Sequence, residues 1–102
     1  MSRRRSRLEI ILIILAAIRD GVDKPTRIMY AANMSWRPSQ RMLSRMMDQG
    51  LVEVIIAPRS RRRYVITEKG INMIDYFEKA NEILPNNVYL TWQYSFSSSR
   101  LP

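Results

Sequence analysis

The residues with the most chemistry to offer lie between Asn33 and Met47, in the run NMSWRPSQRMLSRMM. Counted from Arg37, the side chains of Gln40, Arg41, Ser44, Arg45 and Asp48 recur at helical spacing and share one stripe if the segment is a helix. Trp36, Leu43, Met46 and Met47 fall on the other side and are expected in the core. An arginine fork or a glutamine amide can make paired hydrogen bonds to the edges of nucleobases. The alternative is an amphipathic helix whose arginines do nothing but solvate it. A solvated face normally mixes signs, and this one carries an acid only at its end.

A second basic group stands in PRSRRR, residues 58–63. It separates LVEVIIA (Leu51 to Ala57) from YVIT (Tyr64 to Thr67), two runs rich in β-branched residues that read as strands of a hairpin. Arg59, Arg61, Arg62 and Arg63 at one tip repel each other unless an anion is near, so an anion contact is favoured over a solvated loop. A third group, Arg3, Arg4, Arg5 and Arg7, makes a basic N-terminal arm. The whole chain leans the same way: 102 residues carry 17 Lys and Arg against 9 Asp and Glu, a formal charge of +8. That balance points to a polyanion, nucleic acid before acidic membrane. Lysine stands only at Lys24, Lys69 and Lys79. The preference for arginine fits phosphate forks and base contacts.

Cysteine and histidine are both absent. This removes disulfides, thiol nucleophiles, zinc fingers and imidazole acid–base chemistry together. The acids, among them Glu9, Asp20, Asp23, Asp48 and Glu53, show no metal-ligand spacing, and no glycine-rich phosphate loop is present. Neither catalysis nor a metal, cofactor or small-molecule effector is expected. The expected location is cytoplasmic, on the nucleoid. LEIILIILAAI after the arginines resembles the charged and apolar parts of a secretory signal, but Glu9 interrupts the junction and no small-residue cleavage site follows. The apolar run falls well short of the roughly 18 residues that cross a bilayer. It reads as a buried helix, and no membrane partner is expected.

The pattern along the chain predicts helix one from Ser6 to Asp20, closed by Gly21. Leu8, Ile11, Leu12, Leu15 and Ile18 form its core stripe. Ile10, Ile13, Ile14 and Ala17 form a second stripe, free to meet a partner. Helix two begins at Lys24 or Thr26 and contributes Ile28, Met29 and Ala32. Asn33 takes the left-handed turn, Ser35 caps helix three, Pro38 sits in its first turn, and Gly50 closes it. Thr67 caps helix four, whose stripe is Met73, Phe77, Ala80 and Leu84, widened by Ile71, Ile74, Tyr76 and Ile83. Pro85 stops it. Val88, Leu90, Trp92, Tyr94 and Phe96 then alternate as in a strand, although a helix is not excluded. The fold class is mainly α with a β-hairpin. The order of three helices, two strands and a helix is the winged helix-turn-helix plan, followed by a strand-like tail. Residues 1–84 make the winged-helix domain with its arm. Residues 85–102 make a tail that serves as a dimerisation segment. A homodimer is expected, built on Ile10, Ile13, Ile14 and Ala17 with Leu90, Trp92, Tyr94 and Phe96.

Four ordered motifs, RSRLEII (5–11), TRIMYAANMS (26–35), GLVE (50–53) and YVITEKG (64–70), resemble the small winged-helix chromatin proteins of thermophilic archaea. They also resemble a wider group of predicted archaeal winged-helix regulators. The resemblance implies a dimeric, sequence-tolerant or modestly specific binder of double-stranded DNA. It also implies a long C-terminal helix that pairs with its copy, where this chain instead meets Pro85. In the winged-helix plan Arg37, Gln40, Arg41, Ser44 and Arg45 face the major groove, while the hairpin lies on backbone or minor groove. Trp36 is either core or flanks the groove, and its phase with Leu43 and Met47 favours core. The competing reading is a protein-interaction winged helix acting as a scaffold. RNA binding is lowered by the lack of evident clustered aromatics on the basic elements.

Overall fold

Each of the first three helices ends by the same device. The computed structural model describes residues 5–83 and places α1 at Arg7–Arg19, α2 at Pro25–Ala31 and α3 at Trp36–Asp48. After each helix a residue turns left-handed: Gly21 (φ 105°), Asn33 (φ 54°) and Gly50 (φ 76°). The amide beyond it reaches back to the last turn, Val22 to Ala17 at 2.9 Å, Met34 to Met29 at 3.1 Å and Leu51 to Met46 at 2.9 Å. These bonds satisfy carbonyls that a helix end leaves unpaired. The start of α1 is equally determined. Ser6 Oγ accepts from the Glu9 amide, and Glu9 Oε1 accepts from the Ser6 amide, both at 3.0 Å. This reciprocal cap gives Glu9 a structural duty. Ser35 stands at the cap position of α3, yet its side chain makes no capping bond.

Strands β1 (Val52–Ala57) and β2 (Arg61–Ile66) are antiparallel, with Val54 opposite Tyr64 and Ala57 opposite Arg61. The tip is therefore the three residues Pro58–Ser60, not six. Arg61, Arg62 and Arg63 are strand residues. Alternation sends Arg62 to one face and Arg61 and Arg63 to the other, which separates their charges. Their stems lie across from Ala57, Ile56 and Ile55, apolar surface that a long aliphatic stem can cover.

Helix α4 (Glu68–Ile83) starts at a tight joint. Thr67 Oγ1 accepts from the Gly70 amide at 3.0 Å and donates to the Gly50 carbonyl at 2.6 Å, and the Thr67 amide donates to the Leu51 carbonyl at 3.1 Å. A Cβ on Gly70 would stand 2.4 Å from the Leu51 carbonyl oxygen, so only glycine lets α4 approach the start of β1 this closely.

The core joins Leu12, Leu15 and Ile18 of α1 to Ile28 of α2, Leu43 and Met46 of α3, Leu51 and Val52, Tyr64 of β2 and Ile74 of α4. Each such side chain contributes roughly 1.5–3 kcal/mol by leaving water. Ile14, expected on the partner-facing stripe, is fully buried in this core. The reason is that α1 packs against α2, β2 and α4 at once, so its sealed arc is wider than one stripe. Ile10, Ile13 and Ala17 are half-buried. On α4 the inward face is Gly70, Ile74 and Asn81, with Met73 and Phe77 beside it, while Ile71, Tyr76 and Ile83 are exposed instead of widening the stripe. Arg19 forks onto the Glu78 carboxylate at 3.3–3.4 Å and ties α4 to the end of α1. The tail residues Leu90, Trp92, Tyr94 and Phe96, and Arg3 and Arg4 of the arm, lie outside the described residues.

Candidate nucleic-acid interface

Helix α3 is held from behind. Ser39, Leu43 and Met46 are buried, and Ser39 Oγ donates to the Trp36 carbonyl at 2.7 Å, so no hydroxyl is left unpaired under the helix. The opposite side presents Arg37, Arg41, Ser44 and Arg45, all exposed, with Asp48 at its end. Among the described residues none of the three arginines meets an acid within the chain. Their forks are free to take an external acceptor.

Two side chains of this helix differ from expectation. Gln40 is half-buried, and its Nε2 is shut away from solvent without a hydrogen-bond partner. It does not stand on the exposed face with its neighbours. Trp36, expected in the core with Leu43, is 48% exposed. It shares Leu43's side of the helix but sits in the first turn. Helical side chains lean toward the N-terminus, so the indole projects past the point where the core ends.

The wing carries its charge unevenly. Arg59, in the tip at φ 66°, and Arg61 and Arg62 of β2 are exposed. Arg63 is not free: its Nη1 donates to Asp23 Oδ2 at 3.0 Å. The Tyr64 amide also donates to the Asp23 carbonyl, at 2.9 Å, so Asp23 clamps β2 by both its backbone and its side chain. Beside this clamp, Lys24, Pro25 and Thr26 face Arg61, Arg62 and Arg63 across a cleft of about 270 Å³. Lys24 and Thr26 were not legible as site residues. No local pattern joins them to residues nearly forty positions onward.

Of the arm, Arg7 is exposed at the first position of α1. The Arg5 guanidinium donates to the Asn33 carbonyl at 3.3 Å, on the turn that leads into α3. The arm thus begins beside the basic helix.

Three helices, a two-stranded wing and a fourth helix, with the third helix presenting a basic face, define a winged-helix protein. The sequence profile of the winged helix-turn-helix family matches residues 4–84, and the chain belongs to that family. The uncharacterized protein MJ0287 of Methanocaldococcus jannaschii is 30% identical over 81 residues, which cover 79% of this chain and 78% of that relative. Among solved structures, Sso10a-2, a DNA-binding protein from Sulfolobus solfataricus, superposes with a TM-score of 0.66 at 26% identity, covering 96% of this chain and 98% of that one. MepR, a transcription regulator of the Staphylococcus aureus multidrug efflux pump MepA, gives 0.65 at 14% identity. There the alignment covers 95% of this chain but 65% of MepR, a likeness of fold alone. The archaeal winged-helix resemblance carried by the four motifs is borne out, as is the fold class.

Proposed function

We propose that this chain binds double-stranded DNA, as a transcriptional regulator or a chromatin-associated protein. In this reading α3 lies in the major groove and the hairpin lies along the backbone or minor groove. The observation that carries it is the face of α3, where Arg37, Arg41, Ser44 and Arg45 stand exposed together on a helix sealed into the core behind. Support comes from Sso10a-2, a DNA-binding protein similar over nearly its whole length. The net charge of +8 agrees. Arg59, Arg61, Arg62, Arg7 and the rest of the arm would hold phosphates, which give affinity, while α3 would supply any sequence preference.

The chain acts, on this reading, as a cytoplasmic, nucleoid-associated homodimer. Residues 1–84 form the DNA-binding unit, and residues 85–102 serve dimerisation. Ile10, Ile13 and Ala17 of α1 would meet Leu90, Trp92, Tyr94 and Phe96 across the two-fold, and the exposed Tyr76 and Ile83 of α4 would extend that surface. A two-fold dimer would also fix the spacing of two half-sites.

Footprinting of the full chain on random duplexes at two salt concentrations tests the DNA reading. Binding should fall steeply with salt, with a slope of about −0.9 per phosphate engaged. Failure to bind duplex at low salt would leave the scaffold reading, which the exposed apolar residues of α4 favour. For the dimer, sedimentation decides: deletion of residues 88–102 should give monomers. A truncated chain that stayed dimeric would move the interface to α1 and α4.

A further inference from the structure

We infer that Trp36 is a DNA contact of an apolar kind, packing its indole on thymine methyl groups at the edge of the groove that α3 enters. This rests on the duplex-binding reading above and adds to it a residue and a chemistry that the basic face alone does not supply.

The argument starts from misplacement. Trp36 has the helical phase of Leu43, which is fully buried, yet almost half of its large apolar surface meets water. Among the described residues the exposed large apolar side chains of α2 and α3 are only Tyr30 and Trp36. Tryptophan, with its apolar body and polar N–H, is a side chain enriched at contact surfaces. Its partner chemistry is set by its neighbours. Arg37 is adjacent in sequence, Arg41 follows one turn later, and both are exposed, with no acid paired to either among the described residues. An aromatic on the same helix turn as a free guanidinium group is matched by a polyanion that also offers apolar faces.

Position on the helix then narrows the contact. A helix that reads the major groove does so through the residues near its N-terminus. Trp36 is the first residue of α3 and leans beyond it. Gln40 stands one turn along the same edge of the helix, but its amide nitrogen is enclosed. On that edge the glutamine's donor is therefore withheld from a base pair, while the indole is open to one. In the major groove the apolar group of a base pair is the thymine 5-methyl.

The experiment replaces thymine by uracil, which deletes the methyl and keeps the pairing. Full-length chain, Trp36→Phe and Trp36→Ala are titrated against matched A·T-rich duplexes containing thymine or uracil, with affinity and tryptophan emission both recorded. The full chain should prefer the thymine duplex by about fourfold for each methyl covered, the equivalent of burying one such group at ~0.8 kcal/mol. Trp36→Ala should bind the two duplexes equally, and Trp36→Phe should keep part of the preference. Emission quenching on binding should be larger in the full chain than in Trp36→Phe. Equal affinity of the full chain for both duplexes overturns the inference, as does a thymine preference that survives in Trp36→Ala. In either case duplex binding itself stands. A chain that bound neither duplex at low salt would sink the duplex reading and this inference with it. Thermal melts of both variants check that the fold is retained, as the half-exposed position leads one to expect.

Discussion

Helix α3 and the wing carry arginines in similar number but hold them differently. On α3, Arg37, Arg41 and Arg45 project from a rigid face whose other side is core, and none meets an acid among the described residues. On the wing, Arg63 is committed to Asp23, while Arg59, Arg61 and Arg62 remain exposed. A rigid helix face can hold forked donors in a fixed register, which reading base edges demands. A two-stranded hairpin is a less rigid mount, better suited to phosphates, which need charge nearby but little exact geometry. On the proposed reading, identical side chains would serve different ends because of what lies behind them.

The largest effect should come from the joint that positions both regions. Gly70 lets α4 lie against Leu51, the residue that links α3 to β1. In Gly70→Val the new Cβ would meet the Leu51 carbonyl at 2.4 Å and Ile66 Cγ1 at 2.8 Å. The carbonyl belongs to the backbone and cannot rotate away. The gain in helix propensity from replacing glycine is below about 1 kcal/mol, whereas overpacking costs about 1–3 kcal/mol. A net loss near the upper end of that range is expected by denaturant melt, with DNA affinity falling only as the folded fraction falls. An unchanged midpoint would mean that α4 can shift, and that the two regions are not fixed by a common joint.

Arg41→Ala comes next. It should cost on the order of 1–3 kcal/mol at a preferred site, if the duplex contains one, and should leave thermal stability within about 0.5 kcal/mol, as surface changes usually do. Arg61→Ala or Arg62→Ala should instead weaken binding to all duplexes alike and lower the salt slope by about one each. Should the wing variants alter sequence preference while Arg41→Ala alters nothing, the two regions would have exchanged roles.

How much of this was readable beforehand follows from the range of the forces involved. Helix ends are local, and Gly21, Asn33, Gly50 and Thr67 were legible because capping acts within a few residues. Arg37, Arg41, Ser44 and Arg45 are legible for the same reason, as periodicity within one helix, whereas Gln40 at the border of that face is not. The exposure of Trp36 is not legible, because phase says which side a residue faces but not where along the helix the core stops. The burial of Ile14 is not legible either, because the number of elements packed on α1 is a tertiary fact. The strand arginines read as a loop in the sequence because β-propensity reflects cross-strand partners, and Ile55, Ile56 and Ala57 are visible as partners only once the register is known. The Asp23–Arg63 pair spans forty positions, and no sequence period reports it.

That pair gives the smallest predicted effect and the sharpest contrast between neighbouring wing arginines. Its side chains are 34% and 38% exposed, so solvent screens it and its worth to stability is about 0.2–1 kcal/mol. Asp23→Asn removes the charge that holds Arg63 but keeps the carbonyl that accepts from the Tyr64 amide, so β2 should stay in place. Arg63 would then join Arg61 and Arg62 as an uncommitted cation, beside Lys24 across the cleft. Duplex affinity at low salt should rise, and the salt slope should steepen by up to about one, while the melting temperature falls slightly. Arg63→Ala should lower the melting temperature by a similar amount and leave the slope where it was. If Arg63→Ala instead flattened the slope as Arg61→Ala does, Arg63 would already be on a phosphate in the complex, and Asp23 would be a resting partner that DNA displaces. Binding isotherms at three or more salt concentrations for these two variants and Arg61→Ala separate the cases.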